Sequence, residues 1–334
     1  MLLPQAPPKA FHPATFRARV GSYAGFLDEV RWGYYRGWAH GQVRRALHRK
    51  RWFQIVLHWE HNTLLVRLDD DGLTGTGRLL LFDHDAGRVD LALDAQGAPL
   101  RTLVVGPHAG RGTEAFLRAG GCQALLRRGR DGDAWHLAMQ WDVAELDLLL
   151  VAPGAPTAMV IGEARDPYRH RPGLVQRAAL LPVTGRARVR GLPLPANRTK
   201  ASLTYGNVFL PPFARGLSVT AQGGDIALAL SDGDLLGDHH EATLFIDGQA
   251  HALPRAHILL DQPEAPWALR DADGTLDLDF TPIAAHRASV TRRFGQVHHD
   301  RRWLVGRLRG VVPGPSGPLP IDLPALGEDH RLRG

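Results

Sequence analysis

From Gly274 to Phe280 the chain alternates without a break: Leu276, Leu278 and Phe280 fall on one side, Thr275, Asp277 and Asp279 on the other. A period of two sends successive side chains to opposite faces of an extended backbone, so this stretch predicts a half-buried β-strand. Short apolar-rich runs of the same kind recur along the chain. They include WFQIVLHW (52–59), NTLLVRLD (62–69), GRLLLFDHDAGRVDLALD (77–94), DAWHLAMQWD (133–142), ELDLLLVAP (145–153), DIALALSDGD (225–234), ATLFIDGQAHAL (242–253) and WLVGRLRG (303–310). The Asp- and Gly-rich breaks between them, such as HDAG and DDDGL, are turn chemistry. Helical periodicity is expected in two places, residues 30–51 and GTEAFLRAG (112–120). About a dozen or more strands with tight turns and little helix predict antiparallel sandwiches or barrels. The stretch RDPYRHRPG (165–173) reads as a loop, with a domain boundary just after it, near 182–191.

Composition narrows the class. A chain of 334 residues has room for two cores of ordinary size. With 44% hydrophobic and 22% charged residues it reads as a soluble globular protein. No apolar run reaches the length of about eighteen residues that a membrane-spanning helix needs, so no membrane insertion is expected. The start, MLLPQAPPKAFHPATFRARV, does not read as a secretory signal, because no basic segment precedes an apolar one. The one cysteine, Cys122, excludes an intramolecular disulfide and a cysteine-based zinc site. It agrees with a reducing, cytoplasmic location, and in RAGGCQALL it reads as a small buried hydrophobe. The net charge is +6, from 40 basic and 34 acidic residues, and with only Lys9, Lys50 and Lys200 as lysines it is carried by arginine. A nucleic-acid binder clusters its positive charge. Here the best cluster is RRALHRKRW (44–52) and the rest is interspersed with aspartate, so no nucleic-acid partner is expected.

The order of several short motifs resembles a known family. HHEATLFIDGQAHALPRAHILLDQPEAPWALRDADGTLDLDFTP is similar to the second half of the bacterial family called domain of unknown function 2804. The matching positions are Glu241, Asp247, Gly248, Leu253, Pro266, Trp267, Asp273, Gly274 and Phe280. The closing stretch resembles the family's end through Phe294, Gly295, Gly306, Gly327, Glu328, Asp329 and His330, and VQRAALLPVTG (175–185) resembles a further motif. The likeness spans about residues 20 to 331. It implies kinship in fold with carotenoid hydratases and tocopherol cyclases, which are paired lipocalin-like barrels that act on or hold apolar isoprenoids. The fold expected from it is all-β: two tandem antiparallel lipocalin-like β-barrels with one or two short helices. The barrels are expected over 18–182 and 183–331.

Against that pattern the segment ASLTYGNVFLPPFARGLSVTAQGG (201–224) departs most. Thr204, Tyr205, Asn207 and Val208 replace an Asp, a Trp, an Arg and a Gly, and Gly216 and Ser218 stand where two tryptophans are usual. If extended, Leu203, Tyr205 and Phe209 share one face, and the prolines at 211 and 212 end the strand. Tyr205, Phe209 and Phe213 are therefore expected as the apolar wall of an internal pocket, with an ordinary core as the alternative. Gln176 and Arg177 are expected either to hold a ligand head group or to form an ion pair between domains. Glu241 is either a buried acid or a surface carboxylate, Asp247 a hairpin turn residue, and Glu328 to His330 a latch that docks this end of the chain. The histidine pairs lack metal-ligand spacing, so no metal and no cofactor are expected, and no catalytic residue can be named. Two functions remain. One is binding a hydrophobic, lipid- or isoprenoid-like small molecule in a barrel pocket. The other is cofactor-free hydratase, isomerase or cyclase chemistry with a desolvated carboxylic acid.

Overall fold

The structure is a computed structural model and describes residues 1–333 apart from 16, 29, 31–48, 60, 73, 98–101, 167–168, 196–198, 210–212 and 293–296. The expected helix at 30–51 therefore falls almost wholly outside the described residues, as do positions 44–48 of the basic cluster and the two prolines at 211 and 212. Among the described residues the chain forms β-strands and one 3-10 turn, Asp234–Leu236, and no helix is long and apolar enough to cross a membrane.

The first sheet comprises β1 (Gly21–Ala24), β2 (Arg49–His58), β3 (Asn62–Asp70), β4 (Gly75–Asp83), β5 (Arg88–Gly97), β6 (Leu103–Val105), β7 (Glu114–Ala119), β8 (Cys122–Arg128), β9 (Ala134–Trp141), β10 (Ala144–Val151), β11 (Thr157–Asp166), β12 (Arg169–Val189), β13 (Leu192–Pro193) and β14 (Lys200–Phe209). Its main path runs β5-β4-β3-β2-β14-β12-β10-β9-β8-β7-β6, with β11 and β13 also on β12, and β1 on β11. The second sheet holds β15 (Phe213–Gly223), β16 (Ile226–Gly233), β17 (Ala242–Ile246), β18 (Gln249–Ala252), β19 (His257–Leu259), β20 (Trp267–Arg270), β21 (Asp277–Arg292), β22 (Val297–Gly314) and β23 (Gly317–Arg333). Its order is β18-β17-β16-β15-β23-β22-β21-β20-β19. Together they make a nearly closed barrel and a half-barrel, the two-barrel architecture expected from the sequence.

Three expectations are corrected. GTEAFLRAG is not helical: β7 alternates, with Ala115 and Leu117 inside and Glu114 and Arg118 exposed, because its neighbours β6 and β8 present an apolar floor that rewards a period of two. In the 165–173 stretch the described residues are not loop: 165–166 and 169–173 are strand of the β11–β12 hairpin, paired from Asp166↔Arg169 to Gly162↔Gly173, and 167–168 lie outside the described residues. The chain also changes sheets later than 182/183. β12 continues to Val189, and β14 inserts between β12 and β2, so the crossing falls between Phe209 and Phe213. β12 reaches both neighbours by bending at a bulge between Ala178 and Leu181, where Leu180 takes φ 56°. The Asp247-Gly248 turn is as expected. Both residues have positive φ (53° and 71°), which is the twist that a two-residue hairpin between β17 and β18 requires.

Alternation explains where the cores sit. In β2, Phe53, Ile55 and Leu57 point into the first sheet's interior, as do Leu64, Val66 and Leu68 of β3. A second core fills the inside of the second sheet around Trp267, Leu278 and Phe280. The intervening positions of β2 and β3 are buried too, because the second sheet packs on them: Val56 and Leu65 meet Trp303, Val305 and Leu326. Two further apolar clusters join the sheets, one around Ala179, Ala229 and Phe245, the other around Val175, Val208 and Leu332.

Candidate functional site between the sheets

Among these apolar contacts the layer between the sheets carries charge. Arg67 on β3 is 2% exposed in its side chain. Its Nε donates to both oxygens of Asp69 at 2.9 Å, and its Nη1 donates to Gln54 Oε1 of β2 and to Glu328 Oε2 of β23, the latter at 3.3 Å. Gln54 Nε2 donates to Glu328 Oε1 at 2.5 Å, and Arg301 Nη1 on β22 donates to Asp69 Oδ1 at 3.0 Å. One network thus ties β2 and β3 to β22 and β23. A second lies on β12. Arg177 donates from Nε and Nη2 to the two oxygens of Glu241 at 2.8 and 2.9 Å, and from Nη1 to Thr204 Oγ1 at 2.5 Å. The fork geometry matches a carboxylate edge, which is why arginine suits this place.

Between the two networks a cleft of about 110 Å³ opens, lined by Gln54, Arg67, Arg177, Thr204, Ser218 and Ser231 with Glu241, Arg301, Glu328 and His330. Trp52, Val175, Leu235 and Leu236 form its apolar wall. The Trp52 indole lies over Gly206 of β14, where a β-carbon would overlap the ring, and the Arg67 guanidinium stands 5.2 Å from its centroid. A broader, open depression of about 770 Å³ lies on β7–β10, away from these networks.

The electrostatics follow from burial. Desolvation alone would raise the Asp69 carboxyl, but Arg67 and Arg301 beside it hold it below the usual carboxylate range. Burial, with Arg301 next, lowers Arg67, while Asp69 and Glu328 oppose them. Burial pushes the His330 imidazole well below its ordinary value, and Arg301, Arg67 and Lys50 push the same way against Asp69. His330 is thus a neutral imidazole. Its ring meets that of His299 edge-on, with centroids 4.6 Å apart.

The residues expected from the sequence divide by face. Arg177 and Glu241 come together as the ion pair just described, with Glu241 only 4% exposed, so it is the buried acid and not a surface carboxylate. Gln176 is one residue from Arg177 and therefore points the other way. It is enclosed in the first sheet, accepting from Ala109 N at 3.0 Å and donating to Leu27 O at 3.2 Å. Tyr205 and Phe209 share that inner face and fill the core; Tyr205 packs on Phe53 with ring centroids 4.9 Å apart, and its hydroxyl donates to Gly106 O at 3.0 Å. Asn207, which interrupts the face, is satisfied there by donating to Pro107 O and Tyr205 Oη. Phe213 is 70% exposed at the start of β15 and lines neither space. Glu328 to His330 do dock, not as a latch laid on the surface but inside β23, the strand between β15 and β22. Cys122 is buried, and burial pushes its thiol up to about 11.

Sequence reading missed Gln54, Arg67, Asp69 and Arg301. A signal was present: β2 and β3 are apolar on both faces, and a lone Gln or Arg in such a strand has to be paired inside a second buried layer. Among the described residues no group of three or more His, Cys, Asp or Glu converges as a metal site.

The fold has solved counterparts. It is similar to CghA with a TM-score of 0.51 at 13% identity, covering 85% of this chain and 87% of that one. The structure of CghA with Sch210972 gives 0.50 at 14%, covering 85% and 88%. Kievitone hydratase from Nectria haematococca scores 0.48 at 10%, covering 87% of this chain and 90% of that one. At these identities the likeness concerns the fold alone. No curated protein sequence matches the chain. The model of a family described as Domain of unknown function (DUF2804) matches residues 20–333, and the chain belongs to that family.

Proposed function

We propose that this protein binds an amphipathic small molecule, lipid- or isoprenoid-like, whose polar group enters the cleft between the two sheets. The observation that carries the reading is a cleft lined by buried charged side chains from both sheets. Burying ion pairs is costly, and well-packed apolar residues of similar volume would hold the sheets together as well or better. Retaining them in a layer that is otherwise apolar is consistent with a binding role. The size of the cleft bounds the ligand. At about 110 Å³ it falls below the cavity of about 150 Å³ that admits benzene. It therefore has room for a head group, and the apolar remainder would lie along Trp52, Val175, Leu235 and Leu236. CghA, of similar fold, has been solved with Sch210972.

Binding is favoured over alkene protonation by a carboxylic acid. Glu241, Asp69 and Glu328 are each engaged by an arginine, so none is held as a neutral acid in an apolar wall. The test is native mass spectrometry of the protein purified from its own host, beside a titration with parinaric acid and the corresponding polyene alcohol. A co-purified small molecule, or saturable probe binding, is expected in the wild type. Ser218→Trp, which fills the cleft, should abolish either. A wild type that carries no adduct and binds neither probe would overturn the reading.

A further inference from the structure

The two networks beside the cleft engage every oxygen of their carboxylates but not every nitrogen. On the acceptor side, both oxygens of Asp69 are taken by Arg67, with Arg301 sharing one of them. Those of Glu328 are taken by Gln54 and Arg67, and those of Glu241 by Arg177. On the donor side, Arg301 Nε and His330 Nε2 are buried without a hydrogen-bond partner. The two residues are direct cross-strand neighbours, Arg301↔His330, in the antiparallel β22–β23 pair, and both line the cleft. Directly opposed residues of such a pair project from the same face with β-carbons about 5 Å apart. His330 is 6% exposed. A buried N–H left unmade costs about as much as a lost hydrogen bond; Arg301 Nε is one in every state and His330 Nε2 is a second in its Nε2–H tautomer, so the two side by side are a place prepared for an acceptor.

We propose that Arg301 and His330 form the subsite for the ligand's polar group, and that this group is a carboxylate. This rests on the reading of the cleft as a small-molecule site. A carboxylate offers two acceptor oxygens in one plane, one for the fixed positive charge of Arg301 and one for the His330 ring in its Nε2–H tautomer. A cationic head group would find Asp69, Glu241 and Glu328 already bonded by arginine and glutamine. A neutral hydroxyl would satisfy one donor and leave the charge of Arg301 uncompensated. The surroundings agree: the positive groups around His330 outweigh Asp69 there, which favours an incoming negative charge.

Isothermal titration calorimetry with octanoate, 1-octanol and acetate tests this on the full chain. Octanoate should bind at least tenfold more tightly than 1-octanol. Arg301→Lys, which keeps the charge and loses Nε, and His330→Leu should each weaken octanoate about tenfold and 1-octanol by clearly less, with melting curves checked alongside. Acetate binding with the same dependence on Arg301 would assign the subsite to free small carboxylates, and its absence would assign it to amphiphiles. Equal binding of octanoate and 1-octanol, both lost in Ser218→Trp, would overturn the carboxylate while leaving the cleft as a binding site. Octanoate binding untouched by both subsite variants would overturn the placement. Silence from octanoate, 1-octanol and acetate alike would overturn both the subsite and the cleft reading.

Discussion

The interior of the first sheet and the layer between the two sheets are made by the same strands from alternate residues. On β14, Leu203, Tyr205 and Phe209 point inward, while Ser202, Thr204 and Val208 face the second sheet. Inside, the polar groups of Gln176, Tyr205 and Asn207 are neutral and bonded to backbone carbonyls and amides or to one another, save that Asn207 Oδ1 also accepts from Arg49 Nε at the rim. Between the sheets the polar groups are charged and bonded to partners on the other sheet, as in Arg177–Glu241 and Arg67–Glu328. The first arrangement fastens local geometry. The second fastens two bodies to each other and leaves room beside the fastening. A single residue of offset along the chain therefore separates a packing role from a candidate binding role.

The largest effect should come from removing a strand that serves both regions. A chain ending at residue 325 loses 326–333 of β23, whose partners are β15 and β22 and whose outward residues complete the cleft. It should show no cooperative unfolding of the second sheet by circular dichroism. This is a far greater loss than the few degrees expected for freeing a surface latch. Next come two truncations that separate the regions. Phe53→Ala, in the interior, should cost about 3–5 kcal/mol in urea unfolding through cavity formation. Arg177→Ala should cost a similar 3–5 kcal/mol or so by stranding Glu241. The regions differ in rescue. The double change Arg177→Met with Glu241→Leu should return close to wild-type stability, since the pair is worth little against well-packed apolar groups. A double variant as unstable as the single one would remove the distinction.

The smallest effect is with pH. The buried His58 imidazole sits at about 3, from burial and then the nearby His84, and that of His330 is also well below its ordinary value. His58 lies on the face of β2 turned to the second sheet, and His330 on the face of β23 turned to the first. Each is lowered on folding, so the unfolded chain binds the extra proton. The stability each contributes is complete above the unfolded value of about 6.5 and is lost as pH falls towards the folded value, at about 1.4 kcal/mol per pH unit for each histidine. Acid should thus loosen the layer between the sheets before it reaches the apolar interior. His58→Gln should reduce the slope of stability against pH between pH 4 and 6. An unchanged slope would place the acid sensitivity elsewhere.

How far the sequence could be read depended on which face of a strand carried the signal. Strict alternation in 274–280 marked β21, the Asp247-Gly248 dipeptide marked the β17–β18 hairpin, and strand after strand made the all-β class plain. GTEAFLRAG misled because Ala, Glu, Leu and Arg are good helix formers, and pairing on both sides overrides that preference in β7. The sheet crossing was illegible because β12 is one strand of 21 residues with partners on both of its halves, and nothing local in its sequence marks β14 as an inserted neighbour. At the candidate site, Arg177 and Glu241 were legible as candidates but not as each other's partners, since 64 residues separate them. Tyr205 and Phe209 drew attention because they are apolar and aromatic. That property took them into the core, and from this segment the cleft took Thr204 of β14 with Gly216 and Ser218 of β15.

The bond from Gln54 to Glu328 joins residues 274 positions apart, and that from Arg67 to Glu328 joins residues 261 apart. Most strand pairings within each sheet link near neighbours in the chain, so the entropy of closing so long a loop is met only after both sheets exist. This order predicts a refolding stage with the β-structure in place and no cleft. Backbone circular dichroism would recover first, and fluorescence from Trp52, which waits on the docking of the second sheet, would recover in a later and slower phase. If the proposed site binds its ligand, binding would appear only with that phase, and capacity to bind would measure completion of the fold where strand content does not.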